Sequence, residues 1–184
     1  CAGWHKDIPF ATGSLGHGLS LAVGMALAKK LQTQEGNVYC LLSDGDLNEG
    51  STWEAVHFAS QYALQNLTIV IDSNRLQGFG FTRDIIHLGK MGNRLRNLGF
   101  SVREIDGHSP DEIVSALKQQ NPNPTIIIAH TVKGKGVSFM ENRMEWHYLP
   151  MNDEQYRHAV DEIEKRVPMA GRTNRRSDES RVTL

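Results

Sequence analysis

Cysteine is scarce in this chain: of 184 residues, only Cys1 and Cys40 carry a thiol. One is terminal and the other sits in an apolar run. No disulfide framework is expected, and Cys40 reads as a buried structural thiol. Long hydrophobic runs are missing as well. Nothing approaches the roughly 18 apolar residues that cross a bilayer. The first residues lack the basic start, apolar stretch and small-residue cleavage site of a secretory leader. Neither sign of charge is in excess: 20 Lys and Arg stand against 21 Asp and Glu, a formal net charge of -1. That balance argues against a nucleic-acid surface and against a polybasic membrane patch. A dinucleotide fingerprint is also wanting. Gly16-His17-Gly18 has no strand before it, and Leu21 stands where the third Gly would fall. These absences leave a cytoplasmic globular protein as the expectation.

The composition, 39% hydrophobic and 22% charged, suits such a protein. Its length suits one domain with a substantial core. Strand-like runs over 38–42, 67–71, 100–105 and 125–130 alternate with helical patterns. The stretch 14–31 is too apolar for a surface helix and is expected to be mostly buried, with Leu19, Leu21, Ala22, Val23 and Ala26 among its residues. Helices are expected over 51–64, 91–98 and 153–166, and 76–83 reads as a loop. Ser109-Pro110-Asp111-Glu112 is a strong helix start, with Ser as cap, Pro in the first turn and two acids behind it. That helix is expected to run to about residue 119. The predicted fold is α/β, a parallel sheet flanked by helices. The predicted domain covers 1–168, and 169–184 reads as a polar, disordered tail. Because the chain opens on Cys1 and not Met, residues upstream are expected to be missing.

In parallel sheets ligands bind beyond the C-terminal strand ends. Two such ends carry unusual chemistry. After the first strand comes Ser43-Asp44-Gly45-Asp46, and after the second Asp72-Ser73-Asn74-Arg75-Leu76. Taken alone, Asp-Gly is most often a turn and Asn a loop cap. Together, a carboxylate, an open Gly N–H and an amide oxygen at neighbouring strand ends suit a hard cation. Magnesium takes about six oxygens, often including phosphate and water.

Asp44-Gly45 followed after twenty-eight residues by Asn74 resembles the GDG…N diphosphate motif of thiamine diphosphate enzymes. Further stretches resemble the transketolase branch: Gly13-Ser14-Leu15-Gly16-His17-Gly18, Asp46-Leu47-Asn48-Glu49-Gly50 with Trp53-Glu54-Ala55, Asp106-Gly107-His108, Lys133-Gly134-Lys135-Gly136, and Trp146-His147. The chain departs from that pattern at Ser43, where the family has Gly, at Asp46, where the resembling E-L-x-E-G stretch has Glu, and at Tyr148, where a Gly usually follows Trp-His.

The resemblance implies a set of roles. Asp44 and Asn74 would bind Mg²⁺ (or Ca²⁺ or Mn²⁺ in its place) by side chain, and Leu76 by its backbone carbonyl. The Gly45 N–H and Asn74 would face the diphosphate of thiamine diphosphate, while Gly13, Ser14 and Leu15 would line the cofactor. Lys133 and His147 would reach the phosphate region, with His147 as the catalytic candidate near the sugar. His108 is either a contact of substrate or cofactor, or a turn residue. The implied activity is transfer of a two-carbon ketol unit between sugar phosphates. A pyrimidine domain is not seen, so it is expected on a partner subunit, in a homodimer or a heterotetramer. Apolar patches left open and self-association are expected as well. The alternatives are a non-catalytic or truncated assembly domain of the same fold, and another thiamine diphosphate enzyme resembling deoxyxylulose-phosphate synthase.

Overall fold

A computed structural model describes residues 7–86 and 89–166. The chain divides into two compact units, Cys1–Lys133 and Gly134–Leu184. The first unit begins with helix α1 (Gly18–Leu31), strand β1 (Val38–Ser43), a 3-10 turn (Gly45–Asn48) and helix α2 (Gly50–Gln61). Strand β2 (Leu67–Ser73) follows, then a small hairpin of β3 (Leu76–Gln77) and β4 (Gly80–Phe81), and the single-turn helix α3 (Thr82–Ile85). Helix α4 (Met91–Asn97), strand β5 (Ser101–Asp106), helix α5 (Pro110–Lys118) and strand β6 (Thr125–His130) complete it.

The four long strands form one parallel sheet in the order β1-β2-β6-β5. Right-handed crossovers then dictate which face each helix covers. The steps from β1 to β2 and from β2 to β5 run one way across the sheet. They send α2 and α4 to one face, and the return from β5 to β6 sends α5 to the other. The alternation of side chains agrees. Val38, Cys40 and Leu42 of β1, Leu67, Ile69 and Ile71 of β2, and Ile126 and Ile128 of β6 share one core with Leu19, Ala22, Val23 and Ala26 of α1, Ala55, Val56 and Ala59 of α2, and Leu95 of α4. Each large side chain buried there contributes about 1.5–3 kcal/mol. On the opposite face of β1, Tyr39 and Leu41 are 53% and 75% exposed, which is the open apolar surface expected above.

Two readings from sequence need correction. Helix α1 is not buried around its circumference: its four core residues make one stripe, and Leu21 and Leu31 face solvent. Its small residues Ala22 and Ala26 allow close approach to the sheet, and this had raised the apparent apolarity of the whole stretch. The segment 76–83, read as a loop, holds the β3–β4 hairpin and the start of α3. Two-residue strands are too short to show a period.

In the second unit a 3-10 turn (Met144–His147) precedes helix α6 (Asp153–Arg166). Ser138 donates from both its N–H and its hydroxyl to Glu162, at 2.6 and 2.5 Å. Phe139 stacks on His158 and meets Trp146 edge-on, with centroids 5.5 and 5.2 Å apart. Gly134 has φ +77, and a Cβ there would come within 2.5 Å of the Met140 carbonyl oxygen. The first Gly of the Lys-Gly-Lys-Gly loop is therefore a backbone requirement. The tail expected at 169–184 lies outside the described residues. No described helix is long and apolar enough to cross a membrane.

Candidate functional site

Parallel pairing sets Ser43 of β1 opposite Asp72 of β2. The residues that leave these two strands therefore emerge side by side. Asp44 follows β1 directly and is 2% exposed; Asn74 follows β2 and is 7% exposed. One Asp44 carboxylate oxygen accepts the Arg75 N–H at 2.5 Å. Arg75 supplies that N–H from a left-handed backbone, φ +67, uncommon for a residue with a Cβ. Next along the chain, the Leu76 N–H donates to Asn74 Oδ1 at 2.9 Å. The other end of the Asn74 amide donates to Asp72 at 3.2 Å. This pair of bonds fixes which way the amide points, so its oxygen lies on the Leu76 side. Asp44, Asn74 and Leu76 thus meet at one corner.

The electrostatics of that corner are unbalanced. Burial pushes the Asp44 carboxyl above its ordinary range; the Arg75 N–H opposes the rise, and the nearby Asp72 charge adds to it. No cationic side chain among the described residues offsets the charge. Nor is any group of three or more His, Cys, Asp or Glu among the described residues arranged to hold a metal. What the corner does gather is one carboxylate and one amide oxygen, the oxygen types that a hard cation takes.

The glycine-rich segment before α1 reaches the same corner. A Cβ built on Gly45 would lie 3.1 Å from Leu15 Cδ1, so the Leu15 side chain rests on this glycine. Gly16 has φ +80, and a Cβ there would lie 2.7 Å from that of Glu49. Gly13 is exposed, and the Ser14 N–H donates to the Thr12 hydroxyl at 3.0 Å. Lys133 is half-buried in the bend after β6, whose register with β2 brings Asp72 opposite Ala129. His108 makes a bond that holds its turn. Its Nε2 accepts the Val132 N–H at 2.8 Å and so ties the turn after β5 to the segment leading to Lys133. His147 belongs to the second unit, exposed at the end of its 3-10 turn, its ring edge-on to Tyr148 with centroids 4.7 Å apart.

Three residues that sequence reasoning did not single out shape this corner. Asp46 accepts the Gly16 N–H and, with its other oxygen, the Ser43 N–H and hydroxyl. Asp72 accepts from the Thr131 hydroxyl as well as from Asn74. Gln77 is 6% exposed, accepts from the Asn48 amide and donates to the Asp44 carbonyl oxygen. The available signal was the run of carboxylates flanking Asp44 and Asn74.

The fold and this corner define a thiamine diphosphate-binding α/β domain, and comparison with known proteins agrees. Residues 3–166 match the thiamine diphosphate-binding domain of transketolase, and the chain belongs to that family. An apulose-4-phosphate transketolase subunit of Phocaeicola vulgatus is 40% identical over 166 residues, 89% of this chain and 59% of that protein. The 6-deoxy-6-sulfo-D-fructose transketolase subunit SqwG of a Clostridium species is 40% identical over 161 residues, 86% of this chain and 58% of that protein. The crystal structure of transketolase from Campylobacter jejuni superposes with a TM-score of 0.78 and 32% identity, covering 88% of this chain and 28% of that one. The chain thus spans a little over half the length of such subunits.

Proposed function

We propose that this chain is the diphosphate- and magnesium-binding half of a transketolase, and that it transfers a two-carbon ketol unit between sugar phosphates together with a pyrimidine-domain subunit. The observation that carries this reading is the buried Asp44, faced by no cationic side chain among the described residues, beside the Asn74 amide oxygen at the ends of two neighbouring parallel strands. Asp44 and Asn74 hold Mg²⁺ by side chain (Ca²⁺ or Mn²⁺ would fit the same oxygens), and Leu76 holds it by its backbone carbonyl. The Gly45 N–H and Asn74 face the diphosphate, and Gly13, Ser14 and Leu15 line the cofactor. Lys133 adds positive charge at the phosphates. His147 hydrogen-bonds the phosphate region and a hydroxyl or carbonyl of the sugar. Cation, backbone N–H and ammonium together neutralise a diphosphate. Thiamine diphosphate, when bound, supplies the carbanion stabilisation that ketol transfer requires.

The partner reading draws support from relatives that are themselves named as subunits of a transketolase. The assembly is a homodimer or a heterotetramer, and the setting is the cytoplasm. The test is a mixture of this chain, a pyrimidine-domain transketolase chain, thiamine diphosphate, Mg²⁺, a ketose phosphate donor and an aldose phosphate acceptor. Mass spectrometry is expected to find an acceptor two carbons longer in the complete mixture alone. A mixture that binds cofactor yet leaves the acceptor unchanged would refute ketol transfer and leave a non-catalytic half.

A further inference from the structure

Position 43 holds a serine where the resembling motif has a glycine, and position 46 an aspartate where it has a glutamate. In the folded chain these two departures meet. Ser43 donates to one Asp46 oxygen from its hydroxyl at 2.8 Å and from its N–H at 2.9 Å. The other Asp46 oxygen accepts the Gly16 N–H at 3.0 Å, thirty residues back along the chain. A second bond joins the same two segments in the reverse sense, since the Ser51 hydroxyl at the start of α2 donates to the Gly16 carbonyl at 2.9 Å. Both polar groups of the Gly16 backbone are therefore held by the segment that follows Asp44. The left-handed backbone of Gly16 and the absence of a Cβ there let the two segments approach.

We propose that Asp46 is a positioning residue for the cofactor: its carboxylate clasps the 13–16 segment onto the end of β1, and Ser43 steadies that carboxylate. Ser43 is then one half of a pair, and its departure from the glycine pattern is matched by the shorter acid at 46. A glutamate would carry its carboxylate one methylene further from its own backbone, away from the place where these bonds are made. The clasp keeps Leu15 over Gly45 and sets the backbone of Gly13, Ser14 and Leu15 beside the corner formed by Asp44, Asn74 and Leu76. This inference rests on the reading of that corner as the diphosphate site.

The test compares the wild-type chain, mixed with its pyrimidine-domain partner, with Asp46→Ala, Asp46→Asn and Ser43→Ala. Affinity for thiamine diphosphate with Mg²⁺ is measured by calorimetry, and protection is followed by hydrogen exchange. Hydrogen bonds to a charged group are worth enough that Asp46→Ala is expected to weaken binding about 10–100-fold. Asp46→Asn keeps the side-chain shape but offers one acceptor where two are used, so about tenfold weakening is expected even if the alanine variant folds poorly. Ser43→Ala is expected to lose less, because its N–H bond persists. The cofactor should slow exchange at 13–16, 44–45 and 74–76 in the wild type. In the Asp46 variants that protection should vanish at 13–16 and remain at the other two. A merely structural role would lower all three together and would overturn the proposal, as would wild-type affinity in Asp46→Asn. Failure of the wild type to gain protection anywhere would instead refute the diphosphate site, and the positioning role with it.

Discussion

A carboxylate buried at the end of a strand weighs against folding unless a positive group meets it. Asp44 is in that position, and its carboxyl is raised above the ordinary value of 3.8 by burial first and by the Asp72 charge in support. The folded chain therefore binds this proton more readily than the unfolded one. The stability that protonation confers is fully present below 3.8 and is lost as pH rises through the raised folded value. At neutral pH without metal the charge is a net burden. Asp44→Asn keeps an acceptor for the Arg75 N–H and removes that burden. It is expected to raise the thermal midpoint of the metal-free protein at neutral pH; an unchanged or lower midpoint would show that the charge is already accommodated. Cys40 is the converse case, a group made inert by its surroundings. Burial first, and then the Asp46 charge, push its thiol up to about 11. Maleimide at neutral pH is expected to spare Cys40 in the folded chain and label it only after denaturation; rapid native labelling would contradict this. At this scale the sequence revealed residues whose chemistry is local. Asp44, Gly45 and Asn74 stand just past two strand-like runs, and their conjunction there marks them as candidates. Asp46, Asp72 and Gln77 act through partners 30, 59 and 29 residues away, and no local pattern carries such pairings.

Elements with a strong start signal were legible almost to the residue. Helix α5 follows Ser109-Pro110-Asp111-Glu112, and the Ser109 hydroxyl accepts the Glu112 N–H at 3.4 Å. Ser109→Ala is expected to cost about 1 kcal/mol, read as a lower urea midpoint with an unchanged slope; no shift would mean that this cap contributes little. Helix α6, expected over 153–166, has those bounds. The four long strands were also found: β6 has the expected bounds 125–130 and the other three are extended or shifted by one or two residues, because runs such as Ile126-Ile127-Ile128 suit strands buried on both faces. The order of the strands was not legible. β6 enters between β2 and β5, and hydropathy along a chain does not encode which neighbour a central strand takes. The same limit hid the β3–β4 hairpin, although it brings Gln77 to Asp44.

At the scale of the molecule, family membership follows from the match over residues 3–166 and from a superposition covering 88% of the chain. The sheet gathers Asp44, Asn74 and Leu76 at one end, while the sides of Tyr39 and Leu41 turned to solvent leave apolar surface for a neighbour. On the proposed reading the chain holds half of a cofactor site, and its affinity should then depend on what completes it. Isothermal titration of thiamine diphosphate with Mg²⁺ therefore tests the reading most directly, using the chain alone, the chain mixed with a pyrimidine-domain subunit, and Asp44→Ala in both settings. The expected result is Mg²⁺-dependent binding that is tightest in the mixture and lost in the variant. Binding indifferent to Asp44→Ala, or none in either setting from a folded protein, would contradict a diphosphate site at the ends of β1 and β2.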